Sequence, residues 1–199
     1  RDFLKSSAAG LGSFFALPAG EQWAEEKKKV QPKGPGKLAY RTLGKTGIKL
    51  PVITMGVMNS DNPNLIRAAL DSGMAHLDTA NGYMRGKNEE VIGQVIKGRP
   101  RESFVIGTKV YLPRDESTGL HKETATREFF LSRLDTGLKR LGVDYVDILY
   151  HHNVWKKEFA LYEPAMRALE KAKKEGKVRH MGITTHRNEP EVIQAAVDS

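Results

Sequence analysis

The sequence predicts an α/β fold with a parallel sheet. From Leu38 onward, strand-like and helix-like apolar periods alternate through five pairs, and Gly73 and Gly142 stand where helices should end. Repeated strand–helix alternation calls for right-handed crossovers, and hence for parallel strands. Periodicity alone leaves an open doubly wound sheet and a closed barrel both available. The Gly-x-Gly-x-x-Gly turn of the open, nucleotide-binding type is missing after the first strand.

In chain order, residues 39–42 and 48–50 flank Gly44-Lys45-Thr46-Gly47 and predict a hairpin. Residues 52–55 predict a buried strand, and 64–72 a helix with Leu65, Ile66, Ala69 and Leu70 at helical spacing. Strands follow at 75–79 and 104–110, separated by a helix over 89–97 that groups Val91, Ile92 and Val95. The longest helix is expected over 124–141, with Phe129, Phe130, Leu134 and Leu138 on one side. Residues 145–150 read as strand, 164–174 as helix, 178–183 as strand and 189–197 as helix.

The first 37 residues read differently. Arg1-Asp2-Phe3-Leu4-Lys5 precedes a short, weakly apolar stretch that ends in the small residues of Ala16-Leu17-Pro18-Ala19-Gly20. That order is the layout of an export signal, too short to span a bilayer. It resembles the second half of a twin-arginine signal, which implies twin-arginine export machinery as a partner and a periplasmic or otherwise exported location; without a signal the protein is cytoplasmic. Gln31-Pro32-Lys33-Gly34-Pro35-Gly36-Lys37 then forms a linker, since its prolines and glycines cannot continue a helix.

Composition narrows the function. With 199 residues, 39% hydrophobic and 28% charged, the chain is ordinary for a globular domain, and disordered and fibrous classes are set aside. The absence of Cys removes disulfide scaffolds, thiolate metal sites and cysteine nucleophiles. The formal charge is +8, yet apart from Lys27 to Lys29 the basic residues are interleaved with acids, which speaks against nucleic acid. No stretch reaches the ~18–20 apolar residues of a membrane span, and no Gly-x-Ser-x-Gly elbow supports a hydrolase.

Polar candidates fall at the carboxyl ends of successive strands: Asp78 and Tyr83, Lys109, His151 and His152, then Thr184 and Thr185. In a parallel barrel those ends share the rim where active sites are built. The set suits carbonyl reduction, which needs a hydride for carbon and a proton for oxygen. Side chains supply no hydride, so a nicotinamide is required, with the protein contributing acid and electrostatic stabilisation. An ammonium such as Lys109 beside a phenol makes it a readier acid, a carboxylate such as Asp78 keeps the ammonium charged, and a His donates to the carbonyl. Neighbouring strand residues face opposite sides, so only one of His151 and His152 can reach the site, and a zinc site using both is disfavoured.

Five fragments carry a resemblance: Asp78-Thr79-Ala80-Asn81-Gly82-Tyr83, Asn88-Glu89-Glu90-Val91-Ile92-Gly93, Gly107-Thr108-Lys109, the run from Asp144 through Tyr150 to His152, and Gly176 to Ile183. In this order they are similar to the aldo-keto reductases, over residues 38–199. The resemblance implies a (β/α)8 TIM barrel, of which this chain holds the first five β/α units after an N-terminal hairpin. It implies reduction of a small-molecule aldehyde or ketone with NADP, NAD being possible. By position it makes Tyr83 the general acid, Lys109 its activating neighbour, Asp78 the partner of Lys109, and His152 the residue that orients the carbonyl. Gly56, Val57, Asp78, Thr184 and Thr185 fall at cofactor-binding positions. Thr184-Thr185 stands where the family commonly has Ser-Asn.

Because eight units need about 250 residues, the chain is expected to be a fragment of a longer protein, inactive alone, with exposed sheet edges. A non-catalytic barrel with a ligand-binding or scaffold role is the competing expectation.

Overall fold

The computed structural model describes residues 38–198. The export signal and linker expected within residues 1–37 lie outside the described residues. β1 (Tyr40–Thr42) and β2 (Lys49–Pro51) pair antiparallel, with Tyr40 opposite Pro51, and make the expected hairpin. Its Tyr40 hydroxyl donates to Gly73 O at 3.1 Å, which ties the hairpin to the end of the first helix.

β3 (Met55–Gly56), β4 (His76–Asp78), β5 (Val105–Val110), β6 (Val146–His151) and β7 (Val178–Ile183) form one sheet in sequence order, every pairing parallel. The crossovers are α1 (Pro63–Asp71), α2 (Lys87–Ile96), α3 (Arg127–Leu141) and α5 (Glu163–Lys174), while α6 (Glu189–Val197) follows β7. A short α4 (Lys157–Ala160) precedes α5 and has no counterpart in the sequence reading. Among the described residues no helix is long and apolar enough to cross a membrane.

Local chemistry sets the helix ends. Asn62 accepts the Asn64 N–H at 2.9 Å ahead of Pro63, a cap followed by the residue best suited to a first helical position. Thr126 caps α3 by accepting the Phe129 N–H at 3.1 Å, and Gly142, in the left-handed region, stops it.

One main core lies between sheet and helices. Leu77, Ile106 and Leu149 point from β4, β5 and β6 into Ile66 of α1, Ile92 of α2, and Phe130 and Leu134 of α3, and all are essentially buried. Burying each such side chain stabilises by roughly 1.5–3 kcal/mol, so the helix layer fixes which strand face is turned away from it. α5 docks through the small residues Ala165, Ala168 and Ala172. Gly93 lets α2 approach the α3 backbone closely, because a Cβ there would sit 2.3 Å from the Arg140 carbonyl oxygen.

One element departs from the sequence reading. Residues 52–55 do not form a buried strand: Val52 and Ile53 are 53% and 58% exposed. The Val52 N–H instead bonds Ala39 O at 2.8 Å, continuing the hairpin, and the chain joins the parallel sheet only at Met55. β3 and β7 are the two edges of that sheet.

Candidate active site

The face turned away from the helices carries the polar residues. In register, Asp78 pairs with Gly56 and Gly107, Lys109 with Tyr150, and Tyr150 with Gly182. Parallel neighbours in register point the same way, so Asp78, Lys109 and Tyr150 share one face.

Lys109 is 5% exposed. Its ammonium is ion-paired to Asp78 Oδ1, donates to Thr79 O at 2.7 Å and reaches the Tyr83 hydroxyl at 3.4 Å. An ammonium has three protons and no acceptor, so these three oxygens engage it fully. The Tyr83 hydroxyl takes part as acceptor, which leaves its own proton directed elsewhere. Lys109 Nζ also lies 4.9 Å from the Tyr83 ring centroid.

Tyr83 opens a short 3-10 turn, Tyr83–Gly86. Met84, Arg85 and Gly86 all have positive φ, at 49°, 56° and 92°. Two of these are not glycine, and a left-handed residue with a side chain costs about 1–2 kcal/mol. What holds the turn comes from α3. Arg140 Nη1 donates to Asn81 O at 3.1 Å, and its guanidinium fills the space a Gly86 Cβ would need, 2.1 Å from Cζ. The same Nη1 lies 3.3 Å from Glu89 Oε2, and Glu89 is fully buried with its other oxygen accepting from Thr108 Oγ1 at 2.9 Å. Burial raises the Glu89 pKa above the usual carboxylate value, against the opposing pull of Thr108 and Arg140. Asn88 adds a second brace by donating to Val57 O and Ser60 O while accepting from Thr79 Oγ1.

The two histidines separate as strand geometry requires. His151 is fully buried on the helix side, against Phe130 and His121, and burial holds its pKa down to about 3. His152 turns to the site, its ring centroid 6.1 Å from that of Tyr83 in an edge-on arrangement. Burial first, and the Lys109 charge second, hold its pKa down to about 4, so it is a neutral imidazole at pH 7. Arg114 staples the preceding loop to it, donating to Asn153 O at 2.8 Å and stacking 4.3 Å from the Trp155 ring centroid.

The structure therefore brings Asp78, Tyr83, Lys109 and His152 together. The cofactor candidates divide. Gly56 is exposed beside Asp78, with nothing within 4 Å of where its Cβ would stand. Val57 is fully buried in the core; its N–H bonds Asp78 O and its carbonyl accepts from Asn88, so it presents no group to a ligand. Thr184 bonds His152 and Asn153, and the Thr185 hydroxyl donates to Arg187 O at 2.6 Å.

Sequence reasoning missed Tyr150. Its ring lies between Gly107 and Gly182, whose added Cβ atoms would come within 3.2 Å and 2.8 Å of it. Burial and the Asp78 charge push its pKa up to about 12, so it stays protonated on the site's floor. The signal was two glycines on the strands flanking an inward aromatic.

The family model for the Aldo/keto reductase family matches residues 54–199. The chain belongs to the aldo/keto reductase family. It is similar to L-glyceraldehyde 3-phosphate reductase of Escherichia coli K12, 32% identical over 182 residues that cover 85% of this chain and 51% of that protein. Among solved structures it is similar to the holo form of the aldo-keto reductase AKR11C1 from Bacillus halodurans, with TM-score 0.65 and 28% identity over 81% of this chain and 54% of that one. A Klebsiella pneumoniae aldo-keto reductase in complex with NADPH gives TM-score 0.59 and 26% identity over 77% of this chain and 51% of that one. The chain spans about half the length of the curated relatives it matches. Its five parallel strands and their helices correspond to part of the family's (β/α)8 barrel.

Proposed function

We propose that this aldo/keto reductase chain carries the acid–base half of a carbonyl reductase, reducing an aldehyde or ketone to an alcohol with NADPH as hydride donor. The observation that carries the reading is the Lys109 ammonium held between Asp78, Thr79 O and the Tyr83 hydroxyl.

Tyr83 donates its proton to the carbonyl oxygen as charge builds there. The phenolate that remains faces Lys109, whose positive charge stabilises it; Asp78 keeps that charge in place. Solvent then returns a proton to Tyr83. His152, neutral, donates a hydrogen bond to the same carbonyl oxygen and fixes its direction. Burial of Lys109 matters here, because an ion in a site shielded from water stabilises developing charge more strongly than an exposed one.

A nicotinamide dinucleotide, when bound, supplies the hydride. The residues present fit such a group at Gly56, whose missing side chain leaves open space beside Asp78. Thr185 is the remaining candidate to hold it, through an oxygen lone pair, since its hydroxyl proton is donated to Arg187 O. Support for NADPH comes from the Klebsiella pneumoniae structure described above.

The test is carbonyl-dependent NADPH oxidation by these residues within a complete barrel, and by the same protein with Tyr83→Phe. Removing the phenolic hydroxyl is expected to lower turnover by about 10²–10⁴-fold, the usual contribution of a general acid, with NADPH binding by fluorescence unchanged. Equal turnover in the variant overturns the assignment. NADPH binding without any carbonyl reduction would favour a ligand-binding role instead.

A further inference from the structure

Thr184 lies at the end of β7, and the structure gives it a task other than cofactor contact. Three of its groups are tied to the segment that carries His152. Its N–H donates to His151 O at 3.1 Å, its carbonyl accepts the Val154 N–H at 2.9 Å, and its Oγ1 accepts the Asn153 N–H at 3.0 Å. The residues on both sides of His152 are thus bonded to Thr184, and the fourth contact is His152 itself, with Nδ1 2.7 Å from Thr184 Oγ1.

A hydroxyl has one proton and two lone pairs. One lone pair of Thr184 Oγ1 takes the Asn153 N–H. If Nδ1 carried the imidazole proton, the oxygen would accept twice and its own proton would turn away from the His152 segment, to solvent or a ligand. If Nδ1 is bare, the hydroxyl donates to it, and the proton and one lone pair both serve the His152 segment. A neutral imidazole holds one proton, so the second arrangement puts that proton on Nε2. The branched Thr side chain is stiff about χ1, and with the backbone held on both sides the oxygen cannot swing away.

We propose that Thr184 is a positioning residue that sets the His152 tautomer, bonding Nδ1 so that Nε2–H is the donor offered to a substrate carbonyl oxygen. The inference rests on the carbonyl-reductase reading for its purpose, but the tautomer itself can be measured whether or not the chain turns over substrate.

Long-range ¹H–¹⁵N correlation spectra of the ¹⁵N-labelled chain at pH 7 report which ring nitrogen carries the proton, and His152→Gln assigns the signal. The expected result is Nε2–H for His152 in the parent chain and in Thr184→Ser, which keeps the hydroxyl. In Thr184→Val, of nearly the same shape, a substantial Nδ1–H population is expected. An Nδ1–H tautomer in the parent overturns the proposal without requiring any variant to fold. So does an unchanged tautomer in Thr184→Val.

The second readout separates this role from cofactor contact. With benzaldehyde as the carbonyl probe and these residues within a complete barrel, Thr184→Val is expected to lose about 10–100-fold in kcat, somewhat less than the 10²–10³ typical of deleting one oriented donor, while its NADPH affinity stays within about twofold. Weaker NADPH binding with an unaltered tautomer assigns Thr184 to the cofactor and overturns the proposal. If neither complete protein reduces benzaldehyde, the reductase reading fails and the tautomer result stands on its own.

Discussion

Arg140→Met tests the brace behind Tyr83. The substitution removes the cation 3.3 Å from Glu89 Oε2 and the donor to Asn81 O, and leaves a fully buried carboxylate accepting only from Thr108. Breaking a buried pair by deleting one partner costs about 3–5 kcal/mol. At roughly 2–4 °C per kcal/mol for a chain of this size, that is a fall of about 6–20 °C in the unfolding midpoint. The loss must depend on pH. Burial already raises the Glu89 pKa, and removing Arg140 raises it further. A folded carboxyl with a raised pKa binds its proton before the unfolded one does, so its destabilising effect is full at high pH and relieved as pH falls toward the unfolded value near 4.5. Urea unfolding followed by circular dichroism at pH 8 and 5.5, for parent and variant, gives the difference directly. Adding Glu89→Gln to the variant removes the stranded charge and should recover most of the stability. A loss below about 1 kcal/mol at pH 8, or an equal loss at both pH values, would refute the argument.

Two further outcomes are expected. His151, His121 and His152 have pKa values held down to about 3, 4 and 4 by burial; the unfolded chain therefore binds more protons below the ordinary value of 6.5, and stability present above that pH is lost as pH falls toward 4. The slope approaches about 4 kcal/mol per pH unit if all three take part, with Glu89 opposing it; urea midpoints that stay level between pH 7 and 5 would count against buried, neutral imidazoles. Gly182→Ala should cost about 1–3 kcal/mol by forcing a Cβ to 2.8 Å from the Tyr150 ring, and thermal unfolding should show a smaller cost when Tyr150→Leu is already present.

The fold was legible because it depends on short-range pattern, and the four central side chains were singled out at strand ends and by position in the family resemblance. The period of the apolar residues places strands and helices, and the strand parity that buries Leu149 on the helix side sends His151 with it and leaves His152 for the other. Residues 178–183 and 189–197 were read with the bounds the structure shows. Residues 52–55 failed because an apolar run says nothing of which neighbour its backbone joins, and Val52 joins the hairpin. Partnerships across elements left no local trace either: Arg140 meets Glu89 across 51 positions, and His152 meets Thr184 across 32. The sequence offered Thr184 as a hydroxyl at a strand end; only the fold gives it a neighbour.

The Tyr83 turn joins these two kinds of information. Nothing in Tyr83-Met84-Arg85-Gly86 favours three successive left-handed residues except the glycine, and the two others together cost about 2–4 kcal/mol. The observed conformation therefore needs contacts from outside the turn, and they are supplied by α3 through Arg140, itself anchored by the buried Glu89 at the start of α2. Relaxation of the turn would carry the Tyr83 hydroxyl off Lys109, since the bond there is already 3.4 Å long. The buried Glu89–Arg140 pair and Gly86 thus set the position of the Tyr83 hydroxyl as much as Lys109 does. A chain that kept Asp78, Tyr83, Lys109 and His152 but lost this grip would hold all four groups and still misplace the Tyr83 hydroxyl.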